Sequence, residues 1–459
     1  MADFLFVPEW DGALPLYEQI YRYVTEEIRS GRLGEGDRLP SKRALCAHLG
    51  VSQSTVEGAY GLLAAEGYIR AIPRSGYRVC AVTLPERPAG VLAPALGAEP
   101  PAPALDDCFS TAAVDTSVFP YATWARLMRQ AVQEPELLQR GHPQGDLPLR
   151  EALCAFLHQY RGVNCRPEQV VVGAGMEYLL DVLLQLLPDG APVALEDPGY
   201  RATYRSMENL RRPFLPIPVD GQGLRADLLE EYGAGAVYVT PSHQFPLGVT
   251  MPAPRRAELL RWAYGGEGRY IVEDDYDSEF RYTSRPIPAM QGQDVGGRVV
   301  YTGTFSRSIA PSIRAAYLIL PEGLLGAYRE KFAHGASTVS RFEQWVLARF
   351  LSSGQYARHL RRVDSLYRTR CAALTDALKR AFPEGRVSGN DGGLHLLLTL
   401  PGREDADLVL DAAGAGYRVH ALSEYCHRDS PMPGTLVLGF AGLDVEKAER
   451  AVEVLRKRL

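Results

Sequence analysis

Apolar residues recur every fourth position at Leu16, Ile20, Val24 and Ile28, a stripe that predicts an amphipathic helix near the start of the chain. Two shorter helices follow, with clear punctuation. Ser41 precedes the first and Gly50 breaks it. Ser52 is placed to cap the second, because a serine oxygen accepts a hydrogen bond from a free N–H of the first turn. The stretch AIPRSGYRV then reads as a two-stranded wing with Gly76 at its turn. Helix, short glycine-containing turn and helix is the arrangement that lays a second helix in a DNA major groove. Residues 1–80 are therefore expected to form a winged helix-turn-helix domain. Periodicity fades over residues 81–107, which are rich in Pro and Ala and read as a semi-extended linker.

From residue 108 the pattern changes to short β-branched runs between longer helical stretches, among them QVVVGAG, APVALEDPGY, AVYVTPSHQ, YIVEDDYD, RVVYTGTFS and AAYLILP. Nearly continuous apolar strands separated by helices predict an α/β domain whose central sheet is mostly parallel and covered on both faces. Polar residues gather at the carboxyl ends of these runs, where open α/β sheets bind ligands. The tail, about 345–459, carries two long helical patterns and then two apolar strands. It is expected to be a small α+β subdomain of the unit 108–459.

Composition narrows the function classes. No run of eighteen apolar residues marks a membrane span, and the opening MADFLFVPEWDG lacks a basic segment of the signal-peptide kind, so a cytoplasmic protein is expected. Seven scattered cysteines without a C-x-x-C spacing point to neither a disulfide framework nor a metal site. The net charge of −5 confines any nucleic-acid contact to a local face. Residues 1–80 themselves hold nine basic and ten acidic side chains. Each module should bind DNA modestly and salt-sensitively, and gain from dimerisation.

The N-terminal module resembles the GntR-type winged helix-turn-helix family through Leu39-Pro40-Ser41-Lys42-Arg43, Leu49-Gly50-Val51-Ser52, Thr55-Val56, Ala59-Tyr60, Glu66-Gly67-Tyr68 and Gly76. The resemblance implies that Ser41, Lys42, Arg43, Ser52, Gln53, Ser54, Thr55 and Arg74 meet double-stranded operator DNA. Gln53 departs from the arginine the family often carries, and glutamine can read adenine bidentately.

In the second module, Asp274 stands at the end of an apolar strand, where a carboxylate can pair with a protonated pyridine nitrogen. Tyr276 follows two residues later and can bond a ring oxygen. Thr304, Ser306 and Arg314 suit a phosphate dianion, as does the helix that opens after Gly173-Ala174-Gly175. Tyr200 can stack on an aromatic ligand. With the phrases His142-Pro143-Gln144-Gly145, Asp197-Pro198-Gly199-Tyr200-Arg201, Pro241-Ser242-His243-Gln244-Phe245-Pro246 and Glu273 through Phe280, residues 108–459 resemble the fold-type I, class I aminotransferase domain of the MocR/GabR regulators. That resemblance implies a pyridoxal 5'-phosphate (PLP) pocket made by Gly175, Met176, Tyr200, Asp274, Tyr276, Thr304, Ser306, residue 307 and Arg314. It implies a small amine or amino acid as effector, near Arg201, His243 and residue 442. It also implies a head-to-tail, domain-swapped homodimer.

Two departures fall in the reactive centre. The family phrase G-T-F-S-K ends here in Arg307, so the lysine that would form the Schiff base is missing. A guanidinium stays protonated and delocalised and offers no free amine to an aldehyde. No lysine occurs between Lys42 and Lys331. The phrase G-F-A-R becomes Gly439-Phe440-Ala441-Gly442, which removes the arginine that by resemblance grips an effector carboxylate. After Gly175, Met176 and Glu177 replace a hydroxyl residue and glutamine, and Glu177 would repel a phosphate if it pointed inward. The expected protein is a ligand-responsive DNA-binding regulator that holds PLP non-covalently, with no catalytic residue and little or no transamination. Two other readings stay open: a working aminotransferase, and a cofactor-free dimerisation scaffold.

Overall fold

The computed structural model describes residues 6–10, 14–82, 105–188, 190–283 and 287–459. Contacts divide the chain into two units, Met1–Ala102 and Pro103–Leu459. Most of the expected linker, residues 83–104, lies outside the described residues. Its last residues do not behave as linker: Asp106 pairs with Tyr417 and its N–H donates to the Gly416 carbonyl, so the chain has joined the second unit by residue 105.

In the first unit, α1 (Leu16–Arg29) buries Ile20, Val24 and Ile28 and half-buries Leu16. The helices α2 (Lys42–Leu49) and α3 (Gln53–Ala65) are capped as the sequence requires. Ser41 Oγ accepts from the Ala44 N–H at 3.1 Å and Ser52 Oγ from the Thr55 N–H at 3.2 Å. Gly50 ends α2 at φ 69°, the left-handed conformation that costs a residue with a Cβ about 1–2 kcal/mol. The antiparallel pair β1 (Ile69–Ile72) and β2 (Gly76–Val79) forms the wing. The helices share one core with it, built on Leu45, Val56, Leu63 and Tyr60, whose hydroxyl donates to the Pro40 carbonyl at 2.9 Å.

The second unit is built on β3 (Val170–Gly173), β4 (Val193–Asp197), β5 (Phe214–Asp220), β6 (Gly223–Leu224), β7 (Ala236–Val239), β8 (Tyr270–Asp275), β9 (Val299–Thr304) and β10 (Ala316–Ile319). These form one sheet in the order β3-β10-β9-β8-β7-β4-β5-β6. β9, β8, β7, β4 and β5 run parallel, β10 runs against both its neighbours, and β6 runs against β5. The mostly parallel α/β sheet expected from the sequence is thus present. Helices α4 (Tyr121–Ala131), α5 (Leu147–Arg161) and α6 (Met176–Leu186) begin its cover.

The small subdomain holds an antiparallel sheet, β11 (Arg386–Ser388), β12 (His395–Thr399), β13 (His420–Ala421) and β14 (Thr435–Gly439), in the order β11-β12-β14-β13. The boundary near 345 needs correction. Helix Arg341–Ser352 buries Val346, Leu347 and Phe350 in the core of the large sheet, together with Leu149, Leu153 and Tyr301. The subdomain core takes over only along the next helix, Gln355–Ala381, from Val363 onward. No described helix is long and apolar enough to cross a membrane.

Candidate ligand site and DNA-facing surface

The carboxyl ends of β3, β4, β7, β8 and β9 converge on a cavity of about 200 Å³. Asp274 and Thr304 come from the last residues of β8 and β9, and Tyr276, Ser306 and Arg307 from the turns that follow. Of the residues expected from the sequence, Met176, Tyr200, Asp274, Tyr276, Thr304, Ser306, Arg307 and Arg314 all line this space. Thr240, Phe245, Pro311 and Ala112 line it as well. Phe245 belongs to the phrase Pro241 through Pro246, but none of the four stands out in the sequence as a site residue.

Asp274 is buried, and two hydroxyls satisfy it. Tyr238 donates to Oδ2 from the neighbouring strand β7, and Thr302 donates to Oδ1 at 3.1 Å from its register partner position on β9. Desolvation pushes its carboxyl up to about 6, against the pull of those donors. A buried carboxylate of this kind gains from a cationic partner. The Tyr276 hydroxyl lies 3.1 Å from His243 Nδ1, which in turn lies 3.0 Å from Asp277 Oδ2. His243 is 4% exposed and sits behind Tyr276. It contacts the tyrosine hydroxyl and is not among the residues lining the cavity.

At the opposite end, Gly175 caps α6 with φ 98°. A Cβ at Gly175 would collide with the Arg314 guanidinium, so glycine alone lets that cation lie across the helix start. Ser306 and Thr304 stand beside it, with the Ser306 N–H donating to Thr304 Oγ1 at 3.1 Å. Hydroxyls, a guanidinium and a helix N-terminus at one end, and a buried carboxylate at the other, form a donor set that fits an aromatic ring bearing a phosphate. Tyr200, 37% exposed and edge-on to Phe245 at 5.8 Å, supplies an aromatic wall.

Three features differ from a conventional site of this type. Glu177 does face Arg314, and the two form an ion pair at 2.8 Å, both about half exposed. The guanidinium is therefore already engaged; desolvation pushes the Glu177 carboxyl up, but its own backbone N–H and then the Arg314 guanidinium outweigh it and hold it below the usual carboxylate range. Arg307 lines the cavity but donates to the Thr111 carbonyl, whose neighbour Ala112 also lines the cavity. Gly442 does not line the cavity; a Cβ there would meet Ala113 at 3.0 Å. Arg201, the other expected effector contact, faces Glu424 at 3.5 Å.

On the first unit, Ser41, Arg43, Ser52, Gln53, Ser54 and Arg74 are exposed and Lys42 and Thr55 are half-exposed. Ser52 Oγ contacts Ser54 Oγ and Thr55 Oγ1, each at 2.8 Å, so these hydroxyls form one cluster at the start of α3. Arg74 sits at the tip of the wing with φ 63°, a strained position for a non-glycine residue. Glu57, which carries no motif, engages two expected DNA contacts: Lys42 Nζ at 3.2 Å and Gln53 Nε2 at 3.1 Å.

The family model for bacterial regulatory proteins of the gntR family matches residues 16–79, and that for aminotransferases of class I and II matches residues 113–455. HTH-type transcriptional regulator YdeL of Bacillus subtilis is 40% identical over 96% of both chains. The probable rhizopine catabolism regulatory protein MocR of Rhizobium meliloti is 33% identical, covering 98% of this chain and 95% of that one. Among solved structures, the multiple substrate aminotransferase of Thermococcus profundus superposes with a TM-score of 0.69 at 26% identity, covering 78% of this chain and 92% of that one.

Proposed function

Because the chain belongs to the GntR family of bacterial regulators, in its MocR-like branch that joins a DNA-binding domain to an aminotransferase-like one, we propose that this transcriptional regulator senses a small molecule through a non-covalent PLP site. The observation that carries the proposal is Arg307 in the cavity, at the position of the Schiff-base lysine, beside Asp274, Tyr276, Thr304, Ser306 and Arg314. When bound, PLP supplies an electrophilic aldehyde and an electron-withdrawing ring. The chain's own residues act around it. Asp274 would hold a protonated ring nitrogen, and Tyr276, oriented by His243, would bond the ring oxygen. Arg314, Ser306 and Thr304 would hold the phosphate. Arg307 contributes a fixed positive charge and cannot serve as nucleophile or proton shuttle at neutral pH.

The regulator would act in the cytoplasm as a homodimer that presents two winged helices to one operator. A ligand shifts such an equilibrium only as far as its affinity differs between the DNA-binding states. A small amine or amino acid held next to PLP is one signal of this kind. Gly442 packed against Ala113, and Arg201 engaged by Glu424, favour a second reading, in which PLP itself is the signal and its untethered occupancy follows its free concentration. Titrating the DNA upstream of the protein's own gene at one fixed salt concentration tests both. The first reading expects an affinity change only when an amine accompanies PLP, the second a change with PLP alone. An affinity unmoved by either contradicts the sensor role.

Glu177→Gln restores the residue type the family often carries and releases Arg314 from its ion pair. It should tighten PLP binding about three- to fivefold, the scale of a half-exposed pair, measured by fluorescence quenching. An affinity equal to or weaker than that of the parent would show that Glu177 does not compete with the phosphate. On the first unit, Glu57→Gln frees Lys42 and removes a negative charge from the DNA-facing surface. Its affinity for non-specific duplex should rise, and the log–log dependence on salt should steepen by about one phosphate contact. Unchanged affinity and slope would place Lys42 away from the phosphates.

A further inference from the structure

A pair of thiols lies on α5 and the turn that follows it. α5 ends at Gly162, whose φ of 67° turns the chain back along the helix. The return places Cys165 against Cys154, with the two Sγ atoms 3.4 Å apart and both side chains half-buried. Cys371 and Cys426, by contrast, direct their sulfurs to the backbone carbonyls of Asn390 and Leu422. The S–H of Cys165 points at Cys154. That contact lowers the Cys154 thiol, and the Arg150 guanidinium one turn earlier on α5 adds to it, while burial and Glu168 oppose both. Cys165 is pushed up by the same contact and by burial. The pair thus divides into a better thiolate and a protonated neighbour within reach.

We propose that Cys154 and Cys165 form a reversible intrachain disulfide when the protein meets hydrogen peroxide. The Cys154 thiolate attacks the distal peroxide oxygen. An S–O bond forms, the O–O bond breaks, and the departing oxygen leaves as water after taking up a proton. The Cys165 sulfur then attacks the sulfenic sulfur as its thiol proton is lost. An S–S bond forms, the S–O bond breaks, and a second water leaves. Two thiols are oxidised by two electrons and one hydrogen peroxide is reduced to two waters. Closing the bond draws the sulfurs together by about 1.4 Å, from contact to a bond length near 2.05 Å. In a reducing cytoplasm such a bond persists only transiently, as redox-responsive pairs do.

The position gives the bond a structural lever. Arg161, the last residue of α5, holds Asp275 at 2.7 and 3.0 Å, next to Asp274. Asn164 and Gln291 exchange two hydrogen bonds at 2.8 Å, and the Gln291 N–H donates to Glu273 on β8 at 2.8 Å. A disulfide would lock together the helix and the turn that both hold β8.

The test treats reduced full-length protein with graded hydrogen peroxide, blocks free thiols with a maleimide and maps peptides by mass spectrometry. The expected product is a Cys154–Cys165 linked peptide, with both thiols lost together before the other five and restored by dithiothreitol. Cys165→Ser should leave a sulfenic acid at Cys154 that dimedone captures, and Cys154→Ser should leave Cys165 unreactive at the same dose. The proposal is overturned if both thiols stay open to the maleimide at doses that oxidise the other cysteines. It is also overturned if Cys165 reacts as readily in Cys154→Ser as in the parent.

Discussion

Arg307→Lys should convert a dissociable ligand site into a covalent one. Mixed with PLP, the variant turns yellow, and borohydride then fixes a phosphopyridoxyl group on residue 307 that peptide mass spectrometry locates. The parent chain, treated identically, gives no adduct at that position. The reasoning is geometric and chemical. Residue 307 already lines the same cavity as Asp274 and Arg314, and lysine supplies the free amine that a guanidinium lacks. The substitution also gives up the bond to the Thr111 carbonyl, a cost of about 0.5–1.5 kcal/mol. PLP retention should nonetheless rise by about 10²-fold, because the link turns part of the binding into an intramolecular event. If the lysine variant bound PLP with no adduct, residue 307 would lie out of reach of the aldehyde.

Arg314→Ala should have the largest effect in the opposite direction. Losing a charged donor to a phosphate costs about 1.5–3 kcal/mol, so PLP affinity should fall by roughly ten- to hundredfold while the affinity for pyridoxal, which lacks the phosphate, stays nearly level. The guanidinium is half exposed and its partner Glu177 is equally so, hence the thermal midpoint should move little. An equal loss for PLP and pyridoxal would mean that Arg314 shapes the cavity rather than holding the phosphate. Glu177→Gln acts on the same cation with the opposite sign, so the two variants bracket the phosphate end of the site.

Local signals in the sequence were legible because their partners are close in the chain. Ser41 and Ser52 cap helices whose N–H groups lie three residues on, and Gly50 needs only its own backbone conformation. The polar residues at strand ends were legible for a related reason: a parallel sheet brings all its carboxyl ends to one edge, whatever the register. Pairings across long separations were not. Thr302 meets Asp274 through the β8–β9 register, Glu177 meets Arg314 across 137 residues, and Arg307 meets Thr111 across 196. His243 shows the same limit, since its motif marks it as functional but not as the support behind Tyr276. The boundary near 345 falls inside helix Arg341–Ser352, whose partners are in the large unit, because an apolar face announces burial without saying against what. Gly442 announces a lost charge in the sequence, and only the fold shows that Ala113 lies within 3.0 Å of where its Cβ would be.

One measurement reaches the central claim: equilibrium dialysis of the full-length parent protein against PLP, followed by borohydride treatment and intact mass. A non-covalent site predicts saturable binding, near one PLP per chain, that is lost on denaturation and leaves the mass of the polypeptide unchanged. A phosphopyridoxyl group fixed at stoichiometric yield, or no saturable binding at all, would contradict it.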